Sequence, residues 1–394
     1  MKNDVRFLIN REYAPNDAGD EFGIDCAGRA RAFHAGIPAY APTPLVSLKR
    51  TAEHFGVGDI FIKDESGRFG LNSFKGLGGS YAVASCMAER LGLQKPTFDK
   101  LCGHDETVTF VTATDGNHGR GVAWTARLLG QKSVVYMPAG TTRERLEHIR
   151  ALGAEASITE LNYDDAVRHA AAMAEQNGWV LVQDTAWDGY ETVPHRIMEG
   201  YTTMAAEIFE QLGGTVPTHI FLQAGVGAMA GAVVGFFASV YAGREDKPRI
   251  VIVEPENAAC LYKTAEAADG SVHAVGGELA TIMAGLSCGE PCTIGWRVLR
   301  DNAFAFAAIP DYAAATGMRA LASPVGDDTP IVSGESGAAA FGFFAHVMSS
   351  PDCAQIREAL AIDERSKLLF ISTEGDTDRA SYRDIVWRGK YPST

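Results

Sequence analysis

Apolar and polar positions along this chain follow two periods. Short runs rich in β-branched and aromatic residues are separated by longer stretches with helical spacing of apolar residues. Residues 107–112 (TVTFVT) are one such run, and side chains of this kind suit the pleated surface of a buried strand. A Gly/Asn turn follows, then a helix through Val122, Ala123, Ala126 and Leu129 that stops at Gly130. Residues 133–137 form the next strand, closed by Pro138, and a helix over 142–152 ends on Gly153. A short strand near 156–158 leads to a helix over 163–176, with Asp164 and Asp165 in the first turn, where the helix dipole favours them. The pattern goes on with a strand at 179–183, a helix at 196–212, strands at 218–222, 250–253 and 304–309, a helix from about 335 to 348 and a strand at 368–372. Strands alternating with helices of about 10–15 residues imply parallel βαβ units and an α/β fold.

One stretch departs from the charge pattern. Between 211 and 243 there is no Asp, Glu, Lys or Arg, and Gly227, Gly231 and Gly235 recur every four residues, the spacing of a transmembrane packing face. Pro217, Gln223 and the turn Ala224-Gly225-Val226-Gly227 interrupt the roughly 20 apolar residues a membrane span requires. The expectation is a strand, a glycine turn and a helix buried inside the α/β body.

Composition narrows the function classes. The 394 residues are 46% hydrophobic and 21% charged, a globular balance, and the length exceeds one ordinary core, so two domains are expected. Lys+Arg number 35 against Asp+Glu 49, a net charge of -14. Such a surface repels nucleic acid and anionic membrane and leaves a small molecule as the partner. The seven cysteines form no repeated metal-binding pair, so no metal is expected, and reduced cytoplasmic thiols are the default reading. Residues 1–13 mix Lys2, Asp4, Arg6, Arg11 and Glu12 with apolar residues and do not read as a signal peptide.

Parallel sheets bind ligands at the carboxyl ends of their strands, so the turns there are where chemistry is sought. Lys75 lies in Asn72-Ser73-Phe74-Lys75-Gly76, among small and apolar residues that would disfavour its ammonium form. A neutral amine is what Schiff-base chemistry needs, although a surface lysine at a helix start has the same local signature. The turn Gly225-Val226-Gly227-Ala228-Met229 would let backbone amides and a helix dipole meet a phosphate. It also resembles a dinucleotide fingerprint, with Glu254 as the ribose-binding acid, although the spacing is longer than usual, and tight helix packing would explain the same glycines. In Asp115-Gly116-Asn117-His118 an amide and a carboxylate follow a strand, as a ligand site or as a simple helix cap.

Five marks occur in order: Pro42-Thr43-Pro44-Leu45, Ile62-Lys63-Asp64-Glu65, Ser73-Phe74-Lys75-Gly76, Gly116-Asn117-His118-Gly119 and the Gly225 turn. Together the chain resembles, over essentially its whole length, the fold-type II (tryptophan synthase β-like) pyridoxal-phosphate enzymes, which include serine and threonine dehydratases. Within that group it is similar to the diaminopropionate ammonia-lyase family, through residues 63–75, 113–120, 183–187, 285–290 and 372–376. Ordinary dehydratases resemble Ser-Ser-Gly-Asn-His where this chain has Thr-Asp-Gly-Asn-His, so Asp115 stands where the relatives carry a hydroxyl. The dinucleotide reading, an NAD-dependent oxidoreductase, explains the glycines but neither Lys75 nor Asn117.

The resemblance implies two open, mainly parallel sheets flanked by helices, with a small domain over 81–199 inserted in a large cofactor domain made of 1–80 and 200–394, and a cytoplasmic homodimer. It implies pyridoxal 5'-phosphate as cofactor and an amino acid as substrate, 2,3-diaminopropionate being eliminated through an aminoacrylate to pyruvate and two ammonia, on one or both enantiomers. A related dehydratase is the nearest alternative. Lys75 would form the internal aldimine, with phosphate on the amides of Gly225, Val226, Gly227, Ala228 and Met229. Asn117 would bond the ring hydroxyl oxygen and Phe74 would pack beside the site. The hydroxyl of Thr373, or of its neighbour Ser372, would meet the pyridine nitrogen. Ammonia leaves well only when protonated, so Asp115 and Asp184 suit a diamino substrate. Lys75 and Asp115 on opposite faces would allow both enantiomers to be deprotonated. Glu65 and Glu335 have either orienting or capping roles, His118 reads as structural, and Trp187 and Tyr190 as pocket or core. Cys260 and Cys288 could approach one another, with a reduced pair as the default.

Overall fold

The computed structural model describes residues 5–16, 21–114 and 116–392. Among these, the strands in chain order are β1 (Arg6–Ile9), β2 (Leu45–Ser47), β3 (Asp59–Asp64), β4 (Thr109–Ala113), β5 (Lys132–Met137), β6 (Glu155–Ile158), β7 (Val180–Leu181), β8 (His219–Gln223), β9 (Arg249–Pro255), β10 (Ala305–Ile309) and β11 (Lys367–Ser372). Seven make one sheet in the order β1-β10-β9-β8-β11-β3-β2, and four make a second in the order β6-β5-β4-β7. All pairs are parallel except the two edges, where β1 runs antiparallel to β10 and β2 to β3. The four-stranded sheet is a continuous stretch of chain between 109 and 181, whereas the larger one draws strands from both sides of it. The fold class is α/β with two mainly parallel sheets, as the alternation of elements predicts.

Burial explains the sequence of the central strands. Every residue of β8 and β10 is buried, so these strands read as apolar runs rather than alternating ones, because helices cover both faces of a parallel sheet. The uncharged stretch is β8, a turn and the helix Ala228–Val240, which is buried over its first ten residues. None of the described helices is long and apolar enough to cross a membrane. The glycine repeat serves packing instead: a Cβ at Gly231 would stand 2.7 Å from Gly295 Cα, and one at Gly235 3.0 Å from the Phe22 ring.

Three elements differ from their sequence expectation. The helix expected from 196 begins at Thr192, with Pro194 in its first turn, where a missing N–H costs nothing. The strand expected over 179–183 is only Val180–Leu181, because the Gln183 side chain replaces its backbone: the Ala113 N–H donates to Gln183 Oε1 and Gln183 Nε2 to Ala113 O, each at 3.0 Å. The helix expected from 335 starts at Ala339. Residues 334–337 are instead pressed onto the chain after β11, where a Cβ at Gly334 would lie 2.5 Å from Gly375 O.

Candidate active site

The chain leaving β4, β8 and β11 converges on a cavity of about 950 Å³. Lys75 lines it and is the first residue of the helix Lys75–Arg90. The preceding Phe74 N–H donates to Thr373 O at 3.0 Å, which ties the lysine segment to the end of β11. Glycines bring neighbouring helices onto this turn. A Cβ at Gly121, in the helix Asn117–Leu128, would stand 2.9 Å from Lys75 O, and one at Gly200, in the helix Thr192–Gln211, 2.5 Å from Leu77 O. The Phe74 ring is buried against Tyr201 at 4.8 Å, with Lys75 Nζ 5.5 Å from the Phe74 centroid.

Lys75 Nζ forms an ion pair with Asp184 Oδ2; the lysine side chain is 19% exposed and the aspartate 7%. Burial works against charge on Asp184, and the adjacent ammonium outweighs it, so the carboxyl is held well below the usual range. Tyr163 Oη donates to the other oxygen at 3.4 Å. His118 Nε2 donates to Val182 O at 2.7 Å, and its Nδ1 lies 3.9 Å from Asp184 Oδ2. Burial pushes this imidazole down in pKa, so it is neutral near pH 7, and Lys75 supplies the charge that balances Asp184.

The turn after β8 fits a phosphate. Gly225, Val226, Gly227, Ala228 and Met229 all line the cavity, and Gly227 caps the helix Ala228–Val240 with φ +93°. The first turn of a helix leaves N–H groups without intrahelical partners, and its dipole favours an anion there. A Cβ at Gly225 would stand 3.1 Å from Leu286 Cα and 3.2 Å from Cys288 Sγ, so any larger residue would have to push these neighbours back. Glu254 has no part in it: its two carboxylate oxygens accept the amides of Leu261 and Tyr262 inside the fold, at 2.9 and 2.7 Å, which removes the ribose-binding acid from the dinucleotide reading.

Thr373 lines the cavity and its Oγ1 accepts from Gln223 Nε2 at 2.9 Å. Ser372 Oγ instead donates to Ser333 Oγ at 2.8 Å. Asn117 is the first residue of its helix, is buried, and donates from Nδ2 to Glu374 Oε2. Glu335 also lines the cavity, accepts from Ser381 Oγ, and is pushed up in pKa by burial and by the Glu374 carboxylate. An amine, an amide cradle, a hydroxyl and a carboxamide around one cavity match the aldehyde, phosphate, ring nitrogen and ring oxygen of pyridoxal phosphate.

Other candidates lie elsewhere. Asp115 falls outside the described residues. Trp187 and Tyr190 stack on each other at 4.4 Å, away from the cavity lining, and Tyr190 Oη donates to Leu181 O. Glu65 is buried in an ion cluster with Arg68 and Thr43. Neither Cys260 nor Cys288 forms a disulfide. Gln223, which in the sequence only breaks an apolar run, lines the cavity as a lone amide at the carboxyl end of an apolar strand.

The model of the family described as "Pyridoxal-phosphate dependent enzyme" matches residues 37–360. The chain is 51% identical over 370 residues to a diaminopropionate ammonia-lyase of Salmonella typhimurium, covering 91% of each. It superposes with a TM-score of 0.94 and 46% identity on the crystal structure of diaminopropionate ammonia lyase from Escherichia coli in complex with D-serine, covering 99% of this chain and 98% of that one. Similarity to a biosynthetic L-threonine dehydratase of S. typhimurium is weaker, 26% over 57% of this chain. The chain therefore belongs to the pyridoxal-phosphate-dependent enzymes and, within them, to the diaminopropionate ammonia-lyase family of carbon–nitrogen lyases.

Proposed function

We propose that this chain converts 2,3-diaminopropionate to pyruvate and two molecules of ammonia, with pyridoxal 5'-phosphate as cofactor. The reading is carried by the Lys75–Asp184 pair at a cavity that the Gly225–Met229 amide turn also lines. Pyridoxal phosphate, when bound, supplies an aldehyde that captures amines and a ring that spreads negative charge away from a substrate's α-carbon. Lys75 would hold it through Nζ, the amides of Gly225, Val226, Gly227, Ala228 and Met229 would hold its phosphate, and Phe74 would pack beside it. Asn117 would donate to the ring oxygen. The Thr373 hydroxyl already accepts from Gln223, so its own proton is left for the ring nitrogen. A neutral hydroxyl there would leave the nitrogen unprotonated, which would favour expulsion of a leaving group.

The Lys75 amine, in its neutral form once the substrate's β-ammonium has replaced it beside Asp184, takes the Cα proton from one side. Asp184, held ionised, pairs with the β-ammonium of the substrate and keeps it protonated, so that the C–N bond breaks to release neutral ammonia. Asp115 serves the second side, which would admit both enantiomers. The reading includes a small domain over 81–199 between the two parts of a large one. It also includes a homodimer in the cytoplasm, where a reducing environment suits seven cysteines that form no disulfide.

Borohydride reduction of the holoenzyme should fix the cofactor on Lys75 in a mapped peptide, and pyruvate should form faster from 2,3-diaminopropionate than from serine. An adduct elsewhere, or pyruvate from serine alone, overturns the proposal. In the same assay Asp115→Asn should lose one enantiomer and keep the other; equal retention of both removes Asp115 from the mechanism.

A further inference from the structure

Glu374 lines the cavity without a part in the roles above. It is 3% exposed and follows β11 by two residues. Its backbone pairs with Ser73, two residues before Lys75, and its carbonyl accepts from the Gly334 N–H at 3.0 Å. Its carboxylate accepts three more hydrogen bonds: Oε1 from the Ser336 N–H at 3.1 Å, and Oε2 from Asn117 Nδ2 and from Thr377 Oγ1 at 3.5 Å. Glycines close the backbone around it. A Cβ at Gly334 would stand 3.0 Å from Glu374 Cγ, and one at Gly337 2.9 Å from its carbonyl oxygen. Both oxygens are engaged and the stem is enclosed, so the carboxylate cannot turn away.

A carboxamide has nearly the same shape after a half-turn that exchanges its nitrogen and oxygen. An ionised carboxylate only accepts, so it tolerates the nitrogen and repels the oxygen. The bond is charge-assisted, roughly twice as strong as one between neutral groups. Asn117 Nδ2 carries two N–H groups; one is committed to Glu374 and the other remains for an acceptor in the cavity that Asn117 lines. We propose that Glu374 is the positioning residue for Asn117, locking its carboxamide so that nitrogen, not oxygen, is offered to the cofactor's ring oxygen. The inference rests on the assignment of Asn117 made above.

The test uses full-length holoenzyme carrying Glu374→Gln, Glu374→Asp, Asn117→Ala, or Glu374→Gln with Asn117→Ala. Glu374→Gln removes the charge, keeps the size and lets Asn117 flip. It should shift the visible absorption maximum of bound pyridoxal phosphate in the same sense as Asn117→Ala. It should also weaken cofactor binding about tenfold, the loss that breaking one buried hydrogen bond of this kind brings. The double variant should be no worse than Asn117→Ala alone, because both changes remove one interaction. Glu374→Asp keeps the charge and should recover part of the wild-type spectrum, which separates positioning from a general loss of folding. If Asn117→Ala alters spectrum and affinity while both Glu374 variants match wild type, or if the effects add, the positioning role is overturned. If Asn117→Ala also matches wild type, the assignment of Asn117 fails, and this inference with it.

Discussion

A lysine at the start of a helix is ordinary on a protein surface; Lys75 differs because the carboxylate facing it is itself out of water. Asp184 is 7% exposed, and a buried carboxylate stays ionised only if a cation or several donors stabilise it. Lys75 provides that stabilisation, and in return is held at one place in the cavity. Asp184→Asn keeps the shape and removes the charge. The expected result is a fall in kcat on the order of 10²–10⁴-fold, the usual range for loss of a positioned acid or base, while borohydride still fixes the cofactor on Lys75. The measurement is kcat for 2,3-diaminopropionate beside the mass of the reduced Lys75 peptide. A variant with more than half the wild-type kcat would remove Asp184 from the chemistry. At this scale, Asn117 and the glycine turn are legible in the sequence because unusual residue types fall just after strands, and Lys75 because it stands among small and apolar residues at the start of a helix. Gln223 and Glu374 are not, since their meaning is a bond to a partner 150 and 257 positions away.

Among the elements, the strands β4, β5, β8, β9 and β11 are legible because burial on both faces leaves β-branched runs that no surface segment imitates. The edges β1 and β2 are not, being four and three residues long and antiparallel. The helix Ile24–Ala35 also escapes, because it buries several small residues and leaves Ile24 60% exposed, so its two faces differ little. The glycine repeat after 227 is legible as a packing face, but only the fold shows what packs there. In the helix Thr293–Asn302, a Cβ at Gly295 would stand 2.6 Å from Gly227 O and 3.3 Å from Ala228 N. That helix therefore reaches the phosphate turn from behind. Gly295→Ala should push the turn out of place, lower stability by about 1–3 kcal/mol as overpacking does, and weaken binding of pyridoxal phosphate. Gly28→Ala, on an exposed helix face with open space around its Cβ, is the control and should stabilise by about 0.5–1 kcal/mol. Chemical denaturation and cofactor titration measure both; an unchanged cofactor affinity in Gly295→Ala would show that the turn is not set from behind.

At the scale of the whole molecule, a buried group of charges ties distant parts of the chain behind the lysine segment. Lys63 in β3, Arg68 in the turn after it, and Glu207 in the helix Thr192–Gln211 are all within 1% of full burial. Glu207 Oε2 accepts from Lys63 Nζ and from Arg68 Nη2, each at 2.7 Å, while Arg68 also grips Glu65. The Thr43 N–H donates to Glu207 as well, which brings in the segment before β2. Burial alone would raise the Glu207 carboxyl, but the bonds and charges of Arg68 and Lys63 outweigh it and bring it down to about 2 from an ordinary 4.5. A depressed carboxylate adds stability that is fully present above pH 4.5 and is lost as pH falls toward 2. Glu207→Gln leaves two buried cations short of a partner and should cost about 3–5 kcal/mol at neutral pH. The gap between wild type and variant should then narrow as the pH is lowered from 4.5 toward 2, because wild type gives up the same interaction by protonation. Denaturant unfolding of both proteins across pH 2–7 measures that gap. A gap that stays constant through the acid range would mean that Glu207 acts by shape and not by charge.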